Sequence, residues 1–183
     1  MSPAIDPAPP RNPRADGYGD NPRCLRRDMS NYLSSRYARP QDIASLITNS
    51  RDIGTFQTVM QAAGGGGFGG GFGGGGVGGA VTTGVHVAGH YTIAGDPGGD
   101  FYTSPNDPAF YVHHGMIDRT WSIWQTQDLP NRLQVISGGS SMMGFGRAQS
   151  LDDLIDLGVV GDKVWKIRDL VSTVDGPFCY VYE

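Results

Sequence analysis

DPAFYVHHGMIDRTWSIWQ, residues 107–125, carries the strongest helical pattern in the chain. Asp107 followed by Pro108 reads as a helix start: a carboxylate caps the free N–H groups, and the proline ring presets φ for the first helical residue. Phe110, His114, Ile117, Trp121 and Trp124 then recur at steps of four, three, four and three. That is one face of a helix running to about Gln127. A face with two tryptophans and a phenylalanine must be covered by other helices. His114 lies on this stripe, where a lone histidine is usually a satisfied core residue.

Working outward, GVHVAGHY at 84–91 reads as a short helix with His86 and His90 at i and i+4, both on one side. Two imidazoles one turn apart can share one metal ion. All four histidines of the chain, His86, His90, His113 and His114, fall in one 29-residue window. His114 offers a third nitrogen across a helix–helix contact, whereas His113 points about 100° around the helix and cannot easily serve the same ion. Three imidazoles suit Cu, Zn or Fe and leave a position open for water, O₂ or substrate. The competing reading is an ordinary core histidine on the stripe. A three-histidine zinc hydrolase is disfavoured because no general base stands near the ligands.

The rest of the chain reads as support. Asn21-Pro22 is predicted to open a helix with Leu25, Met29, Tyr32, Leu33 and Tyr37 on one side. Pro40 opens a second helix (Ile43, Leu46, Ile47), and Asp52 a third (Ile53, Phe56, Val59, Met60). Residues 64–79 hold 13 of the 29 glycines, so 62–84 reads as an expanded flexible loop with no phosphate-binding fingerprint. Ser150–Leu157 is predicted as a capped helix, and FCYVY near the end as a short β-like segment. Residues 1–20 form a Pro-rich arm read as disordered, with no apolar core to make it a secretory signal; residues 21–183 form one domain.

Charge and cysteines narrow the function classes. A net charge of −4 argues against a nucleic-acid partner. The uncharged stretch from Ile53 to Gly95 is centred on glycine, so burying it in lipid would gain little, and no membrane span is expected. Cys24 and Cys179 lie far apart without metal or redox spacing. They are disulfide candidates, with each other or with something outside the chain, or two buried thiols.

The 107–121 run resembles the second copper-binding signature of tyrosinases, catechol oxidases and molluscan haemocyanins, DPxFxxHH followed by an Asp four residues after the second His. Tyr180-Val-Tyr182 is similar to the Tyr-x-Tyr that closes this family's catalytic domain. The run from NPRCLRRDMS to GPFCYVYE resembles short fungal tyrosinase-like enzymes over about residues 20–183. The resemblance implies a mainly α fold: a partial four-helix bundle of the type-3 copper domain, with irregular loops and a short β-like end. It implies His86, His90 and His114 as ligands of one copper, the second of a pair, with His113 a non-ligating neighbour. Asp118 would orient the helix or an imidazole, and Phe110 would pack on the copper histidines. Phe101 would overhang the copper and limit substrate entry. Val87 stands where strong monophenol hydroxylases often carry Asn, which favours catechol oxidation.

The implied activity is oxidation of o-diphenols, with monophenols a further class, to o-quinones by O₂. A copper pair needs six histidines and this chain has four, so the first-site ligands are expected to be absent and the chain alone inactive. A missing N-terminal half or self-association would then complete it. The alternative is a relict domain that binds one Cu or Zn, or acts as an interaction module.

Overall fold

The computed structural model describes residues 11–61, 83–100, 102–140 and 146–183. Its longest helix, α5 (Ala109–Thr126), follows the aromatic stripe. Pro108 already has helical dihedrals, while Asp107 is extended and accepts the Ala109 N–H at 2.8 Å, so Asp107 serves as the cap. That carboxylate is buried, and Arg27 grips both of its oxygens at 2.8 and 3.0 Å. The Arg27 hydrogen bonds hold the Asp107 carboxyl below its usual range, so it stays charged where the helix start needs an anion.

Three shorter helices meet α5: α2 (Pro40–Asn49), α3 (Ile53–Gln61) and α4 (Val85–Ile93), preceded by the single turn α1 (Ser34–Tyr37). The starts of α2 and α3 follow from local chemistry. Pro40 sits in the first turn of α2, and the Arg39 N–H donates to Asp42 at 2.9 Å. Asp52 accepts both the Thr55 N–H and hydroxyl at the head of α3. α2 packs on α3, α3 on α4, α4 on α5 and α5 back on α2, so the four close a ring. Inside it lie Leu46, Phe56, Val85 and Trp124, rimmed by Ile43, Ile53, Met60, Ile117, Trp121 and Val135. Trp124 is fully buried, 5.0 Å from the Phe56 ring, and donates its indole N–H to the Ser50 carbonyl at 2.8 Å. The turn α6 (Leu129–Arg132) places the Arg132 guanidinium over that indole. No described helix is long and apolar enough to cross a membrane.

Three sequence expectations fail. Residues 21–33 are not helical: Arg26 pairs backbone-to-backbone with Asp96 at 2.8 and 2.7 Å, and Arg23 and Arg27 reach the buried Asp96 and Asp107. Two ion pairs and a β-bridge outweigh a stripe whose Leu25, Met29 and Tyr32 are exposed. The Ser150–Leu157 helix is replaced by a turn and the strand β1 (Leu154–Ile155), antiparallel to β2 (Trp165–Lys166). Asp153 does accept the Ser150 N–H, but Asp152 is drawn to Lys166 and Arg168, which pulls the chain into the ladder. The FCYVY end is irregular rather than β, held by the Tyr180 N–H to the Thr173 carbonyl at 2.9 Å.

The glycine run, 62–82, lies outside the described residues, but its two ends meet. The Gly84 N–H donates to the Gln61 carbonyl at 3.3 Å, and a Cβ on Gly84 would fall onto the Met60 carbonyl. The gap between Gln61 and Gly84 is therefore short enough for a few residues to bridge. Replacing 62–82 with a four-residue Gly/Ser linker is expected to stabilise the protein by about 1 kcal/mol, from the shorter loop closure. Urea denaturation checks this; a loss of stability would contradict it.

Candidate metal centre

α4 and α5 carry the histidines, and their contact brings the rings together. His86 Nε2 lies 3.1 Å from His90 Nε2, which lies 3.2 Å from His114 Nε2. Three nitrogens around one ion at ~2.0–2.1 Å and tetrahedral angles would stand about 3.3 Å apart, so the spacing fits a shared cation. His113 joins the cluster, whose four nitrogen ligand atoms lie within 4.8 Å of one another. Its Nε2, however, is 2.9 Å from the His86 carbonyl, an N–H donor's position rather than a ligand's. Phe110 stacks on His114 with ring centroids 4.1 Å apart, and also touches His90.

Burial keeps these rings neutral. It pushes His86 down to about 3, helped by the neighbouring imidazoles, and His90 down to about 4; His113 and His114 shift the same way. Neutral imidazole is the form that binds metal. The same shifts set a pH dependence for the metal-free protein. Below about pH 6.5 the unfolded chain takes up protons that the folded chain refuses, so stability present above that pH is lost as the pH falls. The loss continues towards the folded values of about 4 for His90 and about 3 for His86. Its slope is at most ~1.4 kcal/mol per pH unit for each group. Urea unfolding of chelator-treated protein between about pH 7 and pH 5 should show the decline. A flat profile would contradict it.

Gly89 makes the cluster possible. A Cβ there would fall inside the His113 imidazole. Overpacking costs about 1–3 kcal/mol, whereas Ala gains about 1 kcal/mol over Gly within a helix. Gly89→Ala is therefore expected to lower the melting temperature and displace His113. An unchanged or raised melting temperature would refute the close packing.

The remaining site expectations divide. Val87 is half-buried beside His86, and Phe101 lies outside the described residues. Asp118, one turn from His114, accepts the hydroxyls of Tyr180, at 2.8 Å, and Tyr182. Burial first, then that carboxylate, pushes the Tyr180 phenol up to about 12 and Tyr182 higher still, so both remain donors. Cys24 and Cys179 are free and exposed, so they are neither a disulfide nor buried thiols in this structure. The short local spacing of PRCLRR draws that segment to Asp96 and Asp107, and nothing brings the two sulfurs together.

One group went unnoticed in the sequence. Gln61, the last residue of α3, places Oε1 2.7 Å from His86 Nδ1. The glycine run separates the two by 25 positions, so no periodicity links them.

The family description "Common central domain of tyrosinase" matches residues 3–127, more than half the chain. The chain belongs to the tyrosinase family. Tyrosinase P of Aspergillus terreus is 33% identical over 164 residues, 88% of this chain and 42% of its own length. The N-acetyl-6-hydroxytryptophan oxidase of Emericella nidulans is 29% identical over 92% of this chain and 44% of its own length. A solved structure of a mutant polyphenol oxidase from Thermothelomyces thermophila superposes with a TM-score of 0.74 at 33% identity, covering 95% of this chain and 47% of that one. The tyrosinase-family chain thus spans less than half the length of these three relatives. Its mainly helical fold is the family's.

Proposed function

We propose that this chain is the part of a tyrosinase-type oxidoreductase that holds one copper, through Nε2 of His86, His90 and His114, for oxidation of o-diphenols to o-quinones. The observation that carries the reading is the convergence of those three nitrogens at 3.1 and 3.2 Å on a half-buried site. Copper bound there would supply a one-electron redox couple and a coordination position for a phenolic oxygen or O₂. Per turnover, two o-diphenols lose two electrons and two protons each, and O₂ becomes two waters. The chain's own groups supply the framework. The imidazoles present lone pairs at neutral pH because burial keeps them unprotonated. Phe110 holds the His114 ring by stacking. The space lined by Gly89, His90, Phe110 and His113 is about 10 Å³, room for one water but not for a phenol. Val87 beside His86 offers no hydrogen bond to a water that would deprotonate a monophenol, so diphenols are the preferred class.

The four histidines of these 183 residues supply one trio and not two. Completion by a further segment or by self-association is therefore part of the proposal, and a one-metal domain without oxidase activity is the second reading. Copper analysis combined with O₂ consumption on catechol, across protein concentrations and with sedimentation in parallel, separates them. One equivalent of copper with activity appearing in an associated or completed form supports the oxidase. One equivalent with no oxidation in any state supports the second reading.

A further inference from the structure

We infer that Gln61 is a positioning residue for the metal trio: its side-chain oxygen holds His86 in the Nδ1–H tautomer, which leaves Nε2 with a free lone pair facing His90 and His114. The inference rests on the proposed metal site and deepens it.

A neutral imidazole carries one N–H and one lone pair, and the partner of one nitrogen decides the state of the other. Gln61 Oε1 lies 2.7 Å from His86 Nδ1, and a carbonyl-type oxygen only accepts, so the proton belongs on Nδ1. His86 Nε2 is then the acceptor nitrogen, 3.1 Å from His90 Nε2. The opposite amide orientation would present N–H₂ to Nδ1, force the proton onto Nε2 and aim it into the trio, blocking a cation. The orientation of a single carboxamide therefore decides whether His86 can be a ligand.

The backbone makes the placement stiff. The Gln61 carbonyl receives the Gly84 N–H, two residues before His86, while the Gln61 side chain receives His86 itself. One residue at the end of α3 thus grips the start of α4 at two points. From the other side His113 Nε2 donates to the His86 carbonyl, through the close approach that Gly89 permits. Among the described hydrogen bonds, those at Nδ1 of the trio involve His86 alone. Among the described residues, His86 is thus the ligand whose tautomer a side chain sets. Partners of this kind, bonded to the far nitrogen of a metal-bound histidine, typically change affinity by about 10–100-fold when removed.

The test uses the full chain, Zn(II) as the probe, and two variants: Gln61→Leu, close in size but without an acceptor, and Gln61→Glu, which can only accept. Nitrogen-15 NMR of the imidazole rings in the metal-free protein at neutral pH reads the tautomer, and competition with a chelator reads Zn(II) affinity. The expected result is Nδ1–H on His86 in the wild type and in Gln61→Glu, loss of that preference in Gln61→Leu, and Zn(II) affinity lower by about 10–100-fold in Gln61→Leu but not in Gln61→Glu. A merely structural glutamine would move neither the tautomer nor the rescue by glutamate. Nε2–H on His86 in the wild type overturns the inference, as does a Gln61→Leu protein with unchanged tautomer and affinity. If Gln61→Leu does not fold, the wild-type and Gln61→Glu tautomers decide alone. If the wild type takes up no Zn(II) or Cu(II), the metal-site reading fails, while the tautomer still decides the role of Gln61.

Discussion

His114→Ala is expected to remove stoichiometric copper or zinc uptake, whereas His113→Ala should keep it. The two residues are adjacent in sequence and differ only in where α5 aims them. His114 Nε2 lies 3.2 Å from His90 Nε2, inside the trio, while His113 Nε2 is spent on the His86 carbonyl at 2.9 Å. Deleting His114 leaves two nitrogens from one helix and breaks the bridge between α4 and α5. The affinity loss should exceed the ~10–100-fold that removal of an outer partner costs. His113→Ala removes such an outer partner and should stay within that range. A second readout is thermal: a ligand at about a hundred times its Kd stabilises the native state by ~2.7 kcal/mol, a shift the wild type should show and His114→Ala should lack. Equal uptake by wild type and His114→Ala would refute the assignment. So would loss of uptake in His113→Ala with retention in His114→Ala, which would exchange the two roles.

Trp124→Ala is expected to cost about 3–5 kcal/mol, against a total of roughly 5–15 kcal/mol for a typical domain. Trp124 is completely buried where α2, α3 and α5 meet, against Phe56 and beneath the Arg132 guanidinium, with its indole N–H on the Ser50 carbonyl. Alanine would leave a cavity at the centre of the ring and strip the Ser50 carbonyl of its indole donor. Trp124→Phe keeps most of the volume but loses the hydrogen bond, so it should fall between the two. Chemical denaturation of both variants checks the order. A loss below about 1 kcal/mol for Trp124→Ala would mean that the ring of helices is not held from this point.

How much of this was legible beforehand depends on the range of the forces involved. α2, α3 and α5 begin where Pro40, Asp52 and Asp107 put them, because a cap or a preset φ acts within one turn of its own residue. The segment after Pro22 carries an equally convincing helical stripe and is extended. What overrides its periodicity is Asp96 and Asp107, some 70 to 80 positions away, two buried carboxylates that need Arg23 and Arg27. Desolvated charge outweighs weak local propensity, and a stripe in sequence holds no record of a distant carboxylate. Asp118 teaches the same lesson on the outer side of α5. Its spacing from His114 suggested an imidazole contact, yet the folded tail brings two tyrosine hydroxyls to it instead.

At the site, residue spacing alone groups the four candidate imidazoles and assigns each to a side of its helix. Four histidines in one window, two at i and i+4 and two adjacent, can present only certain combinations to one ion, because helical geometry sets the angles between them. Only the packing of the helices shows which imidazole is hydrogen-bonded elsewhere and which side chain meets His86. His113 turns to the His86 carbonyl because Gly89 leaves room for its ring, and Gln61 reaches His86 because the ends of α3 and α4 are hydrogen-bonded across the glycine run. Both contacts join residues on different helices at distances of 2.9 and 2.7 Å, and a hydrogen bond is sensitive to tenths of an ångström in a packing that no local rule prescribes.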